Sequence, residues 1–199
     1  MPELSLPHPI EMLQGRYVTL EPLSLEGLRE VAPKLCVPEV FAGGHAGGSA
    51  ALPTSPEDYV AFFVDYYPWL KGGRSYLVRY KGELVGTTSF YKFRPEIESL
   101  AIGYTAYAPD VWGSVVNPDT KHTLLTWAFD HGFSRVEFEV AGGNERSAAA
   151  VRKLGATFDG ELRRTKKMAD GSWNSTLIFS ILRDEWPHIR ADLKTRIDS

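Results

Sequence analysis

Apolar and polar residues alternate along Tyr17-Val18-Thr19-Leu20, the two-residue period of a half-buried strand. Ser24 then precedes a stretch that reads as a helix to about Leu35, with Glu26 and Glu30 on its wet face. Serine suits that start because its hydroxyl accepts one of the helix's orphan amides. Ser55-Pro56-Glu57-Asp58 repeats the signal with a cap, a first-turn proline and acids at the positive dipole end. That helix runs through Phe62, Phe63 and Tyr66 and stops before Pro68.

A strand-dense region follows. Ser75 to Tyr80 and Leu84 to Phe93 are β-branched and aromatic runs joined by Lys81-Gly82-Glu83, a hairpin turn. Glu98 to Tyr107 is a third run, ending at Pro109. Asn117-Pro118-Asp119 opens a helix whose apolar set Leu124, Leu125, Ala128 and Phe129 recurs at helical spacing until Gly132. Arg135 to Val140 reads as a strand, and Asn144 to Leu154 as a short helix closed by Gly155. Glu161 to Met168 and Ser175 to Leu182 flank Asp170-Gly171 as a second hairpin, and Arg183 to about Arg196 is a charged terminal helix. The order is β-α-α-β-β-β-α-β-α-β-β, with hairpins on both sides of one parallel crossover. It predicts a mixed α/β (α+β) sheet rather than a doubly wound dinucleotide fold.

Between these elements, Ala42 to Ala51 holds four glycines, which are entropically costly to order. It is expected to be a mobile loop, either a plain connector or a lid on the substrate side.

Composition narrows the class. The 199 residues are 43% hydrophobic and 24% charged, which suits one globular domain. A formal net charge of -3 gives no overall pull toward nucleic acid or an anionic membrane. Cys36 is the only cysteine, so no internal disulfide forms and a reducing cytoplasm is expected. Its surroundings carry no nucleophile motif, and a small core residue is the expected role. Met1 to Ser5 lacks a basic region followed by an apolar run, so no secretion signal is expected. His45, His122 and His131 form no spaced ligand set, and no metal is expected.

Two segments carry the chemistry. From Pro109 to Asp119 a strand ends, a turn with Gly113 and Ser114 follows, and a helix begins. Successive amides at such a junction lack intrahelical partners and form a seat for a diphosphate. Asp119 counts against this, since a first-turn acid already answers the dipole. The second segment, Asn144-Glu145-Arg146-Ser147, is either a capped helix start or part of the same site.

Ile102-Gly103-Tyr104, Trp112-Gly113-Ser114, Asn117 through Lys121, Asn144-Glu145-Arg146-Ser147 and Lys153-Leu154-Gly155-Ala156 fall in the order and spacing of the GNAT N-acetyltransferase superfamily. Leu162-Arg163-Arg164, Met168 to Trp173, Ser180 to Leu182 and Glu185-Trp186-Pro187 resemble its ribosomal-protein N-terminal (RimJ/RimL-type) branch. The resemblance covers the chain from about Tyr17. It implies a single GNAT-like domain over residues 16–187, with an extension at 1–15 and a helical tail at 188–199. The implied fold is a central twisted mixed sheet, splayed for coenzyme A and flanked by helices. The implied activity is transfer of acetyl from acetyl-CoA to a primary amine, a protein N-terminal α-amine or a small molecule, by direct attack in a ternary complex.

By the same resemblance, the amides of Gly113, Ser114, Val115, Val116 and Asn117 hold the diphosphate, beside Trp112 and Lys121. The strand through Tyr104 to Tyr107 pairs with the pantetheine arm and offers amides to the oxyanion. Asn144 binds the arm, and Ser147 protonates the departing thiolate. Arg152, like Arg146, either meets the ribose phosphate or serves solubility. The sequence departs from the family's pattern at Val115, usually glycine, at Asn117, usually small, and at Ala101, where the branch often carries a glutamate base. Water bonded to Glu98 or Glu96 is the remaining proton acceptor. An α-amine needs less help from a base, because it titrates near about 7.7–8.0.

Other residues carry two readings. Trp112 and Trp127 are expected in the core. Arg163 to Lys167 is a solvated strand face, or an anchor for phosphate or an acidic peptide. The aromatics Phe62, Phe63, Tyr66, Tyr67 and Trp69 are core, though one or two can line an acceptor pocket. A catalytically degenerate acyl-CoA-binding or sensing module is the alternative function, and nucleic-acid binding through the basic hairpin is a weaker third. A homodimer through the hairpin and tail is compatible with the sequence.

Overall fold

A computed structural model describes residues 4–42, 44–168 and 171–198. Among the described residues eight strands form one sheet in the order β1-β2-β3-β4-β5-β6-β8-β7. They are β1 (Leu13–Gln14), β2 (Val18–Pro22), β3 (Arg74–Tyr80), β4 (Glu83–Arg94), β5 (Ser99–Tyr107), β6 (Arg135–Ala141), β7 (Thr157–Lys167) and β8 (Trp173–Leu182). Only β5 and β6 pair in parallel; every other neighbour is antiparallel. The expected mixed sheet is therefore observed.

Each helix forms where its end signals stand. In α1 (Leu25–Leu35), Ser24 Oγ accepts the Gly27 amide at 3.0 Å, and Leu28, Val31, Ala32 and Leu35 face inward at helical spacing. In α3 (Pro56–Tyr66), Ser55 Oγ accepts the Asp58 amide at 3.1 Å, and Tyr67 leaves the helix before Pro68. The β3–β4 turn is the two residues Lys81 and Gly82, both at positive φ, between the paired Tyr80 and Glu83. The second hairpin forms as read; its turn residue Asp170 lies outside the described residues, as does Gly43.

Helices α1, α2 (Pro38–Ala42) and α3 cover one face of the sheet around Leu28, Phe41, Tyr59 and Phe63. The other face carries α4 (Val116–Asp130), α5 (Glu145–Lys153) and α6 (Trp186–Asp198). Trp186, Ile189, Leu193 and Ile197 of α6 are buried, and the Trp186 and Phe129 rings lie 5.4 Å apart. Leu13 of β1 joins the same core. Among the described residues no helix is long and apolar enough to cross a membrane.

Two local expectations need correction. The segment after α2 is not featureless: His45–Gly47 and Ser49–Ala51 form single 3-10 turns, and α2 itself was not anticipated. Trp112 is 39% exposed, whereas Trp127 is buried as expected.

Candidate active site

The parallel pairing of β5 and β6 lasts three rungs: Ser99 with Arg135, Leu100 with Val136, and Ala101 with Glu137. Beyond Ala101 the strands part, while β6 stays paired to β8 as far as Ala141 with Thr176. The cause lies in β5. Gly103 pairs with Ser89 and Ala106 with Thr87, so three steps on β5 face two on β4. The extra residue is a β-bulge at Tyr104, whose φ of 51° is left-handed, and a bulge bends the strand that carries it. Thr87 Oγ1 donates to the Tyr104 carbonyl at 3.3 Å, and the Thr88 and Thr105 hydroxyls meet at 3.0 Å.

The gap opens into a cavity of about 390 Å³, lined on the β5 side by Ile102 to Tyr107 and on the β6 side by Phe138 to Ala141. At one end of the cavity stands the start of α4. Positive φ falls on Gly113 (74°), while Val115 has ordinary helical angles, φ -67° and ψ -14°. Valine therefore fits the turn without strain. Ser114 Oγ donates to the Val111 carbonyl at 2.6 Å and accepts the Val116 amide at 3.2 Å. Pro118 has no amide hydrogen and the Asp119 amide donates to the Val115 carbonyl at 3.0 Å, which leaves the Asn117 amide without an intrahelical partner or a capping side chain. Asp119 does not compete for it, because its carboxylate accepts the amides of Arg16, Tyr17 and Val18 at 3.1, 2.7 and 2.9 Å. The dipole end is open to an anion.

Trp112 and Arg146 flank this seat. Trp112 Nε1 donates to the Tyr107 carbonyl at 2.9 Å, and the Arg146 guanidinium lies 4.0 Å from the ring centroid. One turn along α4, Lys121 is 8% exposed and lines the cavity, its Nζ donating to Thr105 Oγ1 at 2.8 Å. Burial lowers this amine to about 7, so a large share of it sits uncharged in the wall at neutral pH. Asn144 caps α5: its Oδ1 accepts the Ser147 amide at 3.0 Å, and a methyl built on Gly44 would come 2.7 Å from its Nδ2. The loop after α2 thus crosses the gap and touches the α5 start.

Of the residues expected at the site, Tyr104, Tyr107, Trp112, Gly113, Asn117, Lys121, Asn144 and Ser147 line this one cavity. The side chains of Ser114, Val115 and Val116 do not line it; Val116 is core, and what Val115 brings is backbone. Arg152 is not there either, since its guanidinium lies over the Phe179 ring at 5.2 Å, while Arg146 takes the place at the mouth. Glu98 also needs correction. It stands ahead of the paired rungs, at the closed end of the strand pair, with its carboxylate 3.6 Å from Arg183 and its carbonyl taken by the Ser134 amide. The acid in the cavity wall is Glu139, which pairs with Lys92 and whose Oε2 accepts the Tyr91 hydroxyl at 3.1 Å. Burial, and then the charge of Glu139, pushes the Tyr91 phenol well above its ordinary range, so it stays a donor.

Sequence reasoning passed over Glu139 and weighed His45 only as a metal ligand. The alternation of β6 held the signal for Glu139: Val136, Phe138 and Val140 face the core, so Glu137 and Glu139 share the opposite face. The pairing register was needed to bring that face to the gap.

A family model for the acetyltransferase (GNAT) domain matches residues 18–157. A structure from T. thermophilus, assigned as an acetyltransferase, is 32% identical over 94% of this chain and 97% of its own, with a TM-score of 0.80. A GCN5-related N-acetyltransferase from Brucella melitensis shares the fold at 21% identity, covering 97% and 88% of the two chains, with a TM-score of 0.86. The microcin C7 self-immunity acetyltransferase MccE, solved with acetyl-CoA and AMP, shares it at 18% identity over 84% and 93%, with a TM-score of 0.70. Among the curated proteins none matches the sequence. The splayed strands, the open helix start and these likenesses agree: the chain belongs to the GNAT acetyltransferase family and is an acetyl-CoA-dependent acetyltransferase.

Proposed function

We propose that the protein transfers the acetyl group to a primary amine by direct attack in a ternary complex, with Glu139 as the proton acceptor. The observation that carries this reading is the parting of β5 and β6 after Ala101 and Glu137, with Glu139 in the wall of the gap. Coenzyme diphosphate would rest on the amides of Gly113, Val115 and Asn117, since those of Ser114 and Val116 bond to the Val111 carbonyl and to Ser114 Oγ, and the pantetheine arm would run along β5 past Lys121 and Asn144. The thioester carbonyl would then lie near the bulge, where β5 amides can meet the developing oxyanion. The amine attacks as its neutral form, Glu139 takes the proton directly or through water, and the Ser147 hydroxyl protonates the departing thiolate. Positioning supplies much of the rate in such a reaction.

The acceptor is either a protein N-terminal α-amine, as the RimJ/RimL-like motifs suggest, or a small-molecule amine. A cytoplasmic setting suits the single cysteine and the co-substrate. A homodimer through the β7–β8 hairpin is our reading of the exposed Phe158, Leu162 and Trp173. The test of the main reading is thiol release from acetyl-CoA with a panel of amines. Turnover that collapses in Glu139→Gln and survives in Glu98→Gln supports it. A second reading, a coenzyme-binding module without catalysis, is favoured by alanine at position 101. Coenzyme binding without turnover of any amine would establish it instead.

A further inference from the structure

The half of the cavity facing α3 is built differently from the coenzyme half. His45, Tyr66, Tyr104, Glu139 and Lys166 line it. Tyr104 packs edge-on against Tyr66 and Tyr91, each at 5.1 Å, so the bulge that opens the gap also supplies one aromatic wall. Opposite signs of charge line this half. Glu139 already has Lys92 as its ion partner, whereas Lys166 makes no ion pair among the described residues.

His45 adds an independent sign. Its ring lies flat on Phe63, with centroids 5.0 Å apart and planes at 5°, and edge-on to Phe41 and Tyr66. Burial first, and then the charge of Lys166, lowers its pKa to about 3, so the imidazole is neutral. Its Nε2 is buried without a hydrogen-bond partner. Buried polar atoms in native proteins are nearly always paired, so an orphan in a cavity wall marks a place where a ligand atom belongs. A neutral imidazole with its proton on Nε2 offers one N–H to an oxygen, and Lys166 offers three more beside it. Both are donors, and an anion satisfies both.

Resting on the amine-acetylation reading, we infer that the acceptor is a small aminocarboxylate: its carboxylate sits between Lys166 and His45 Nε2, and its amine points toward Glu139 and the thioester. A cavity of about 390 Å³ that must also admit the acetyl-pantetheine arm leaves room for a small molecule. The loop across Gly44 to Ala46 walls the same half.

The test uses ω-amino acids of increasing length, glycine through 4-aminobutyrate, each beside its own primary amide. The amide's amine is the less basic, so more of it is neutral at a given pH, and any preference for the acid must come from the carboxylate. The expected result is that one length is acetylated best and that its acid exceeds its amide in kcat/KM by about tenfold to a hundredfold, the size of one charge-assisted hydrogen bond. Lys166→Gln should erase that preference with coenzyme affinity unchanged, and Lys166→Glu should reverse it. Calorimetric titration of acid and amide into the protein–CoA complex gives the same answer without turnover, separating failure here from failure of the transferase reading. Equal binding of acid and amide overturns the inference. So does a Lys166→Gln variant that weakens coenzyme binding and every acceptor alike, which would make Lys166 a coenzyme contact.

Discussion

The carboxylate of Asp119 accepts the amide of Val18 at 2.9 Å, joining α4 to a strand 101 residues earlier in the chain. The same group takes the amides of Arg16 and Tyr17 and is 1% exposed. Removing it strands three donors at the entry to β2. Asp119→Ala should therefore lower unfolding stability by about 3 kcal/mol in urea melts, and Asp119→Asn by less, since its amide oxygen still accepts. Coenzyme affinity of the folded fraction should not change. An equal loss of affinity would mean that this acid serves the anion seat after all.

Glu139 and Glu98 provide a paired test of base assignment. Glu139→Gln keeps the shape of the wall and its contact with Tyr91 while removing proton uptake. It should lower kcat by about 100-fold or more, with coenzyme Kd unchanged. Glu98→Gln should leave kcat within about twofold. Tyr91→Phe should fall between, because the phenol orients the acid without touching the acceptor. Similar losses in both glutamate variants would refute Glu139 as the base.

The contrast between these two acids shows what the sequence carried. Strand and helix positions follow from local signals such as the Ser24 and Ser55 caps, the Lys81-Gly82 turn and the alternation in β6, and these were legible. The start of α5 at Asn144 was legible as well, since helix starts announce themselves. Glu139 was not, because its place in the gap depends on which strands part and where, a property of register rather than of its neighbours. Asp119 was misjudged for a related reason. Its position in the first turn was right, but its partners lie about a hundred residues away in β2. Trp112 looked like core on residue type alone, though Nε1 bonding to the Tyr107 carbonyl holds it at the rim.

Gly113 separates backbone strain from ligand clash. Its φ of 74° favours glycine, and a Cβ there would meet no protein atom within 4 Å. Gly113→Ala should then cost only the left-handed penalty, about 1 kcal/mol in a thermal melt. The coenzyme diphosphate would approach that open side, so affinity for CoA should fall by about tenfold or more. Gly113→Ala binding coenzyme as the wild type does would remove this turn from the anion seat.

Lys121 links coenzyme binding to pH. Its folded-state pKa is depressed to about 7 by burial, against 10.5 as the ordinary value. Between those two values the unfolded chain holds a proton that the folded chain has released, so wild-type stability should rise with pH relative to Lys121→Met. The expected slope is about 1.4 kcal/mol per pH unit, flattening below pH 7 and above pH 10.5. Coenzyme phosphates at the neighbouring helix start would favour the charged amine and raise its pKa. Binding at pH 8 should then take up a proton, approaching one per coenzyme, and affinity should decline as pH rises through 7 and beyond. Calorimetry in buffers of different ionisation enthalpy reads this uptake directly. Lys121→Met should abolish it while still binding coenzyme, and a wild-type protein that takes up no proton at pH 8 would place Lys121 away from the bound phosphates.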